Sequence, residues 1–239
     1  MHKRIVSSTE FDRAAAQMVM RQILARPTST LCLATGGTTA GIFSWMVQLQ
    51  KNLQVDCTRI RCTNMDEYVG VTKDDPASCY FRIVRDLYGP LGLRKEQFYV
   101  PLATAQSAQE ECRRFAQQLN EYGGIDFMLL SVGKNGHIAF NEPGSPFGEH
   151  IRTVCLTPST IRAKADLFGG ELNVPRQGLT LGIADVMAAR RILLVAKGPH
   201  KAEIIRRALT GPVTEQVPAS VLQLHPALDV LLDEQAANE

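Results

Sequence analysis

Short apolar runs alternate with amphipathic stretches along the whole chain, and this alternation sets the first expectation. Residues 125–132 form an apolar run with no polar face, as a strand buried on both sides of a parallel sheet requires. Shorter runs at residues 5–6, 30–34, 59–63, 153–156, 179–183, 191–196 and 227–232 read as further strands. Between them lie helical patterns. One carries Phe11, Ala15, Met18, Val19 and Ile23 on one face, has a capping signal at Thr9 and Asp12, and ends near Pro27. Others cover residues 40–51, 78–88, 107–122 and 197–208, the last capped by Gly211. Thr157 caps a helix with Pro158 in its first turn, and Gly169-Gly170 ends it after Phe168. No repeat, low-complexity tract or linker interrupts the series. The pattern predicts an α/β fold over residues 1–239, a single doubly wound, mostly parallel sheet with helices on both faces. Residues 144–175, rich in Gly, Pro and Ser at their start, protrude between core elements and are a candidate lid helix. A fixed surface helix explains them equally.

Composition narrows the function classes. With 239 residues, 45% hydrophobic and 21% charged, the chain resembles an ordinary globular protein, and a net charge of +2 gives no reason to expect nucleic acid or an anionic membrane as partner. The longest apolar runs fall well short of the ~20 residues of a membrane span. The first residues enter a strand-like run with no signal-peptide core, so a cytoplasmic location is expected. A homo-oligomer stays open. Cysteines at 32, 57, 62, 79, 112 and 155 form no C-x-x-C pair, which fits buried thiols in a reducing compartment. No zinc-ligand spacing surrounds His137, so no metal and no cofactor is expected.

The chemistry-bearing stretch is Ser131-Val-Gly-Lys-Asn-Gly-His137-Ile-Ala-Phe-Asn-Glu142-Pro143, directly after the strongest strand. Two glycines let the backbone turn, placing His137, Asn135 and Glu142 where ligands sit in open α/β sheets, at the carboxyl ends of strands. A histidine there can serve as a general acid or base. By itself the loop also reads as a surface turn whose histidine caps a helix. Thr35-Gly-Gly-Thr-Thr39 lies between a strand and a helix, an arrangement that cradles phosphate on backbone N–H groups or simply makes a tight turn. It matches neither a nucleotide P-loop nor a dinucleotide fingerprint. Asp66 and Glu67 follow the third strand, as solvated loop charges or as part of a joint site at the same sheet edge.

Four segments in order resemble the glucosamine-6-phosphate deaminase (isomerase) family. These are Leu33-Ala-Thr-Gly-Gly-Thr38, Asn64-Met-Asp-Glu-Tyr-Val-Gly70, Gly133-Lys-Asn-Gly-His-Ile-Ala-Phe-Asn-Glu-Pro143 and Val217-Pro-Ala-Ser-Val-Leu-Gln-Leu-His-Pro226. The resemblance spans nearly the whole chain. It implies an aldose–ketose isomerisation coupled to loss of ammonia from a 2-amino-2-deoxyhexose 6-phosphate, without a cofactor. It further implies that Asp66 shuttles the proton between C2 and C1, and that His137 opens the ring with Glu142 orienting it. Gly36, Gly37, Thr38 and Lys201 would hold the phosphate. Two departures stand out. Asn135 occupies a position where the best-known enterobacterial members have Asp, so it can accept a hydrogen bond but cannot stabilise an imidazolium by charge. Asp166 aligns with the family's phosphate-binding lid arginine, and Arg162, one helical turn earlier, is the candidate substitute. Allosteric members use a second phosphate site, of which Ser145 and Arg152 match two residues while Val154 replaces an expected basic one. Alternatives are galactosamine 6-phosphate as substrate, a 6-phosphogluconolactonase, and a non-catalytic sugar-phosphate sensor. Phe140-Asn-Glu-Pro143 argues against the lactonase, and the presence of Asp66, His137 and Glu142 together argues against the sensor.

Overall fold

In the computed structural model, residues 1–102 and 108–238 are described. The chain runs β1 (His2–Val6), α1 (Phe11–Ala25), β2 (Thr30–Leu33), α2 (Gly37–Leu53), β3 (Arg61–Thr63), β4 (Asp66–Tyr68), α3 (Cys79–Ile83) and β5 (Phe98–Tyr99). It continues with α4 (Ala108–Glu121), β6 (Phe127–Ser131), β7 (Arg152–Cys155), α5 (Pro158–Lys164), β8 (Gln177–Thr180) and α6 (Ile183–Met187). The last elements are β9 (Ile192–Ala196), α7 (Ala202–Thr210), β10 (Leu228–Asp233) and α8 (Glu234–Ala237).

Seven strands form a parallel sheet in the order β1-β10-β9-β6-β2-β3-β5. Its strands are apolar on both faces because helices cover both. On β6, Phe127 and Leu129 point into one core with Phe11 and Val19 of α1 and Ile42 and Met46 of α2. Met128 and Leu130 point into the other, with Phe115 of α4, Val186 of α6 and Ile204 and Ala208 of α7. From β2 the chain moves outward to β3 and β5, and from β6 it moves the other way to β9 and β10. The sheet therefore has its switch point between β2 and β6, where a crevice opens at the carboxyl ends of the strands. No helix among the described residues is long and apolar enough to cross a membrane.

The doubly wound, mostly parallel sheet matches the pattern read from the sequence, with three differences. Asp66 lies not in a loop but on its own strand, β4, which pairs antiparallel with β8, itself antiparallel to β7. Residues 179–183 are not a strand of the main sheet: β8 ends at Thr180, and Ile183 already begins α6. Thr9 and Asp12 do not cap α1. Glu10 is its N-cap without a side-chain bond, and the Ser7 carbonyl accepts the Glu10 and Phe11 N–H groups at 3.0 and 3.1 Å. The small sheet packs its own cluster, Tyr68, Phe140, Leu156, Ile161 and Val174, against the crevice. The predicted caps at Ser78 and Thr157 are present, with Ser78 Oγ accepting from Phe81 N at 2.9 Å and Thr157 Oγ1 from Thr160 N at 3.4 Å. The predicted start of the α4 helix at Ser107 lies outside the described residues.

Candidate active site

The crevice is a cavity of about 430 Å³ whose walls include Gly36, Gly37, Thr38, Asp66, Asn135, His137, Lys164 and Lys201. The loop after β6 is set by two glycines. A side chain at Gly133 would overlap the His137 imidazole, and Gly136 has φ +96°, a conformation open to glycine. The turn closes through Gly133 N–H to the His137 carbonyl at 2.8 Å. Glu142 sits beside the ring, its Oε2 3.5 Å from His137 Nδ1, a long electrostatic contact that leaves Nε2 as the nitrogen open to a ligand. Burial of Glu142 favours its neutral form, but the imidazole, Thr160 and Asn135 together outweigh this and hold it down at about 2. It is therefore a fixed negative charge throughout the neutral range.

Among the described residues, the Asn135 side chain makes no hydrogen bond to the imidazole ring. Its Oδ1 accepts the His137 backbone N–H at 3.2 Å, while its amide donates to Glu142 Oε2 at 2.7 Å and to Ser159 Oγ at 3.3 Å. An amide can bridge a carboxylate and a backbone N–H in this way, whereas an aspartate would oppose Glu142.

Across the cavity, the side chain of Asp66 is almost fully enclosed. Burial raises its pKa to about 6, against the opposing pull of Lys164, the Cys79 thiol, His137 and Arg82. Cys79 Sγ lies 3.6 Å from Asp66 Oδ1. Neighbouring Glu67 is no solvated charge either. Its carboxylate accepts the N–H groups of Tyr68, Cys79 and Tyr80 at 2.8, 3.0 and 2.8 Å, tying β4 to the start of α3. The two acids divide their tasks by placement, since burial raises both: Glu67, pushed up to about 7, clamps the backbone, and Asp66 faces the cavity.

Positive charge gathers on the remaining wall. Lys201 Nζ donates to the Val132 carbonyl at 2.5 Å, and burial with Lys134 and Lys164 nearby lowers its pKa to about 8. The first turn of α2, at Gly37 and Thr38, adds N–H groups that lack intrahelical partners. A side chain added at Gly36 or Gly37 would meet nothing within 4 Å, so open space lies above that backbone. Three convergent lysines beside a helix N-terminus form a site that lacks negative charge and would gain it from a phosphate. Arg162 is not part of this wall. It is exposed, while Ser159, Thr160, Ala163 and Lys164 carry the cavity face of α5. Asp166 is also exposed, on the turn after α5, away from the cavity. Asp166 is not among the residues that line the cavity, and among the described residues no ion pair joins it to Arg162.

Residues 7–230 match the family described as glucosamine-6-phosphate isomerases/6-phosphogluconolactonase. The chain belongs to this family. A glucosamine-6-phosphate deaminase of Thermoanaerobacter pseudethanolicus is 35% identical over 98% of this chain and 92% of its own length. One from a Geobacillus species is 39% identical over 95% and 90%. Among solved structures, a protein described as a monomeric glucosamine-6-phosphate deaminase superposes with a TM-score of 0.97 at 35% identity, covering 99% of both chains. A 6-phosphogluconolactonase from Trypanosoma brucei, at 18% identity and a TM-score of 0.79, shares the fold.

For this member, the sequence pointed to Gly36, Gly37, Thr38, Asp66, Asn135, His137 and Lys201, all of which line the cavity, and to Glu142, which backs His137. Lys164, Arg82 and Thr160 were missed. The phase of α5 could have identified Lys164. With Pro158 in the first turn and Ile161 buried in the small core, Thr160 and Lys164 share one face at i, i+4, and Arg162 must point elsewhere.

Proposed function

We propose that this chain is an isomerising deaminase that converts glucosamine 6-phosphate and water to the ketose 6-phosphate and ammonia. One observation carries the reading: a single cavity joins a buried, basic carboxylate and a His–Glu pair to a lysine-lined helix N-terminus. The substrate phosphate binds Lys201, Lys164 and the backbone of Gly36, Gly37 and Thr38. Its binding energy fixes the reacting carbons against the opposite wall. His137, poised by Glu142, moves a proton from the C1 hydroxyl to the ring oxygen, and the ring opens. Asp66 then takes the proton from C2 and returns one to C1, leaving an iminium at C2. Water adds to that carbon, and ammonia leaves. A carboxylate with a pKa near 6 is ionised at neutral pH yet more basic than an ordinary aspartate, which suits a group that must both take and return a proton.

Asn135 positions Glu142 and the loop. Residues 144–175 act as a lid, with α5 bringing Lys164 over the bound phosphate. Every group named comes from one chain, so a single copy holds a complete site, and the reaction belongs in the cytoplasm, where sugar phosphates occur. The test is incubation with glucosamine 6-phosphate, following ammonia and ketose 6-phosphate together. Equal amounts of both support the reading. Hydrolysis of a 6-phosphogluconolactone without ammonia release from the amino sugar would replace it with the lactonase.

A further inference from the structure

The proposed reaction leaves two hydroxyl groups of the cavity without a task. Thr35 Oγ1 and Ser131 Oγ are shielded from solvent and have no partner of good hydrogen-bond geometry within the described residues, Thr35 having only the weak Cys79 thiol beside it, although both residues line the cavity. Leaving a buried hydroxyl unbonded is costly, so most in folded proteins are paired.

Their placement is specific. β2 and β6 are the two strands that flank the switch point, and Leu33 pairs with Leu129. Ala34 N–H still donates to the Leu129 carbonyl at 3.0 Å, which carries the register past the end of β2. Carried two residues beyond that pair, the same register sets Thr35 opposite Ser131 on one side of the sheet. The pair also lies between the two ends of the cavity. Thr35 has the Cys79 thiol as its neighbour, and that thiol contacts Asp66. Ser131 precedes Val132, whose carbonyl holds Lys201.

We propose that Thr35 and Ser131 bind the substrate hydroxyls between the reacting carbon and the phosphate, those on C3 and C4, and so set the enzyme's choice between sugars that differ there. This rests on the reading of the cavity as an amino-sugar phosphate site. With C2 at Asp66 and the C6 phosphate at Lys201, the carbons between them are C3, C4 and C5, and as C5 bears the ring oxygen of the closed sugar, C3 and C4 remain. Each carries a hydroxyl that can donate to or accept from a serine or threonine. A site with hydroxyls waiting for partners discriminates strongly against an analogue lacking them, because the protein group then stays buried and unbonded.

The test crosses two variants with three substrates. Ser131→Ala and Thr35→Val are assayed for kcat/KM on glucosamine 6-phosphate and on its 3-deoxy and 4-deoxy analogues, with melting temperatures measured alongside. Each variant is expected to lose about tenfold or more on the parent sugar. Each loss should vanish on one of the two deoxy analogues, where the partner is already gone. Ser131→Ala should also narrow the wild-type preference between glucosamine 6-phosphate and its C4 epimer, galactosamine 6-phosphate. Melting temperatures should hold or rise, since an unbonded hydroxyl has been removed. No loss on the parent, or an equal loss on all three substrates with a lowered melting temperature, overturns the proposal and assigns the hydroxyls to the scaffold. Absence of ammonia from the parent sugar with the wild-type enzyme overturns the functional reading itself, and this proposal with it.

Discussion

Replacing Lys164 tests how the phosphate is held. Lys164 lines the cavity from α5, and its charge acts on both Lys201 and Asp66, whereas Arg162 on the same helix is exposed. A charge-assisted hydrogen bond to phosphate is worth about 1.5–3 kcal/mol. At about 1.4 kcal/mol per factor of ten, its loss lowers kcat/KM roughly 10- to 150-fold. Part of that loss is offset in Lys164→Ala, because removing one of three crowded lysines lets Lys201 hold its proton more firmly. We therefore expect Lys164→Ala near the lower end of the range and Lys201→Ala near the upper end. Arg162→Ala should change KM less than threefold, about 0.65 kcal/mol. The assay is steady-state ammonia release, repeated with glucosamine lacking the phosphate, on which the lysine variants should match wild type. Lys164→Ala carries a second signature. Without its opposing charge Asp66 becomes harder to ionise, so the acid limb of the rate profile moves to higher pH. A large KM increase for Arg162→Ala with Lys164→Ala close to wild type would refute the assignment.

Asp66→Asn should fold normally, keep substrate affinity and lose roughly 10²–10⁴-fold in kcat, the usual contribution of a general base; wild-type-like ammonia release would remove it from the mechanism. His137→Gln should impair reaction from the closed ring more than from an open-chain analogue, and Glu142→Gln should do the same more mildly; equal losses on both substrates would place His137 in proton abstraction or in the fold instead. The rate profile should be bell-shaped. Below about pH 6 Asp66 binds a proton and cannot take another, and above about pH 8 Lys201 loses the charge that attracts phosphate. An acid limb near pH 4 would show that Asp66 is not the ionisation being read. Addition of N-acetylglucosamine 6-phosphate should leave the kinetics unchanged, because Arg152 is already engaged by Asn141 Oδ1 at 2.9 Å and lies 3.8 Å from Glu149. Sigmoidal kinetics turned hyperbolic by that compound would contradict this.

What the sequence disclosed tracks how local the causes are. The His137–Glu142 segment could be read because one loop of consecutive residues makes the whole contact, and its glycines are required by a ring that packs on Gly133 and by the positive φ of Gly136. The turn before α2 was visible for the same reason. The small sheet was visible only in part: residues 153–156 and 179–183 read as strands, but β4 is three residues long and pairs with β8 across more than a hundred positions of sequence, Asp66 with Thr180. Asp66 was placed at the right sheet edge, yet its enclosure, and with it its raised pKa, depends on α3, α5 and the His137 loop closing around it. Glu67 shows the same limit: three backbone N–H groups, two of them from another element, turn an apparent surface charge into a clamp. Arg162 came into view as a candidate substitute only through its nearness in sequence to Asp166, and helical phase, fixed by the cap at Thr157 and the burial of Ile161, gives the cavity to Lys164.

The central claim is that ammonia leaves through isomerisation, with Asp66 carrying the proton. Glucosamine 6-phosphate deuterated at C2 tests it most directly, with mass and NMR analysis of the product. The account predicts that the deuterium leaves C2 in every turnover. It should reappear at C1 of the ketose 6-phosphate, or be replaced there by a solvent hydrogen if Asp66 exchanges first. Asp66→Asn should slow this transfer and ammonia release by the same factor. Ammonia released while the deuterium stays on C2 would mean direct displacement of the amine, and the account would be wrong.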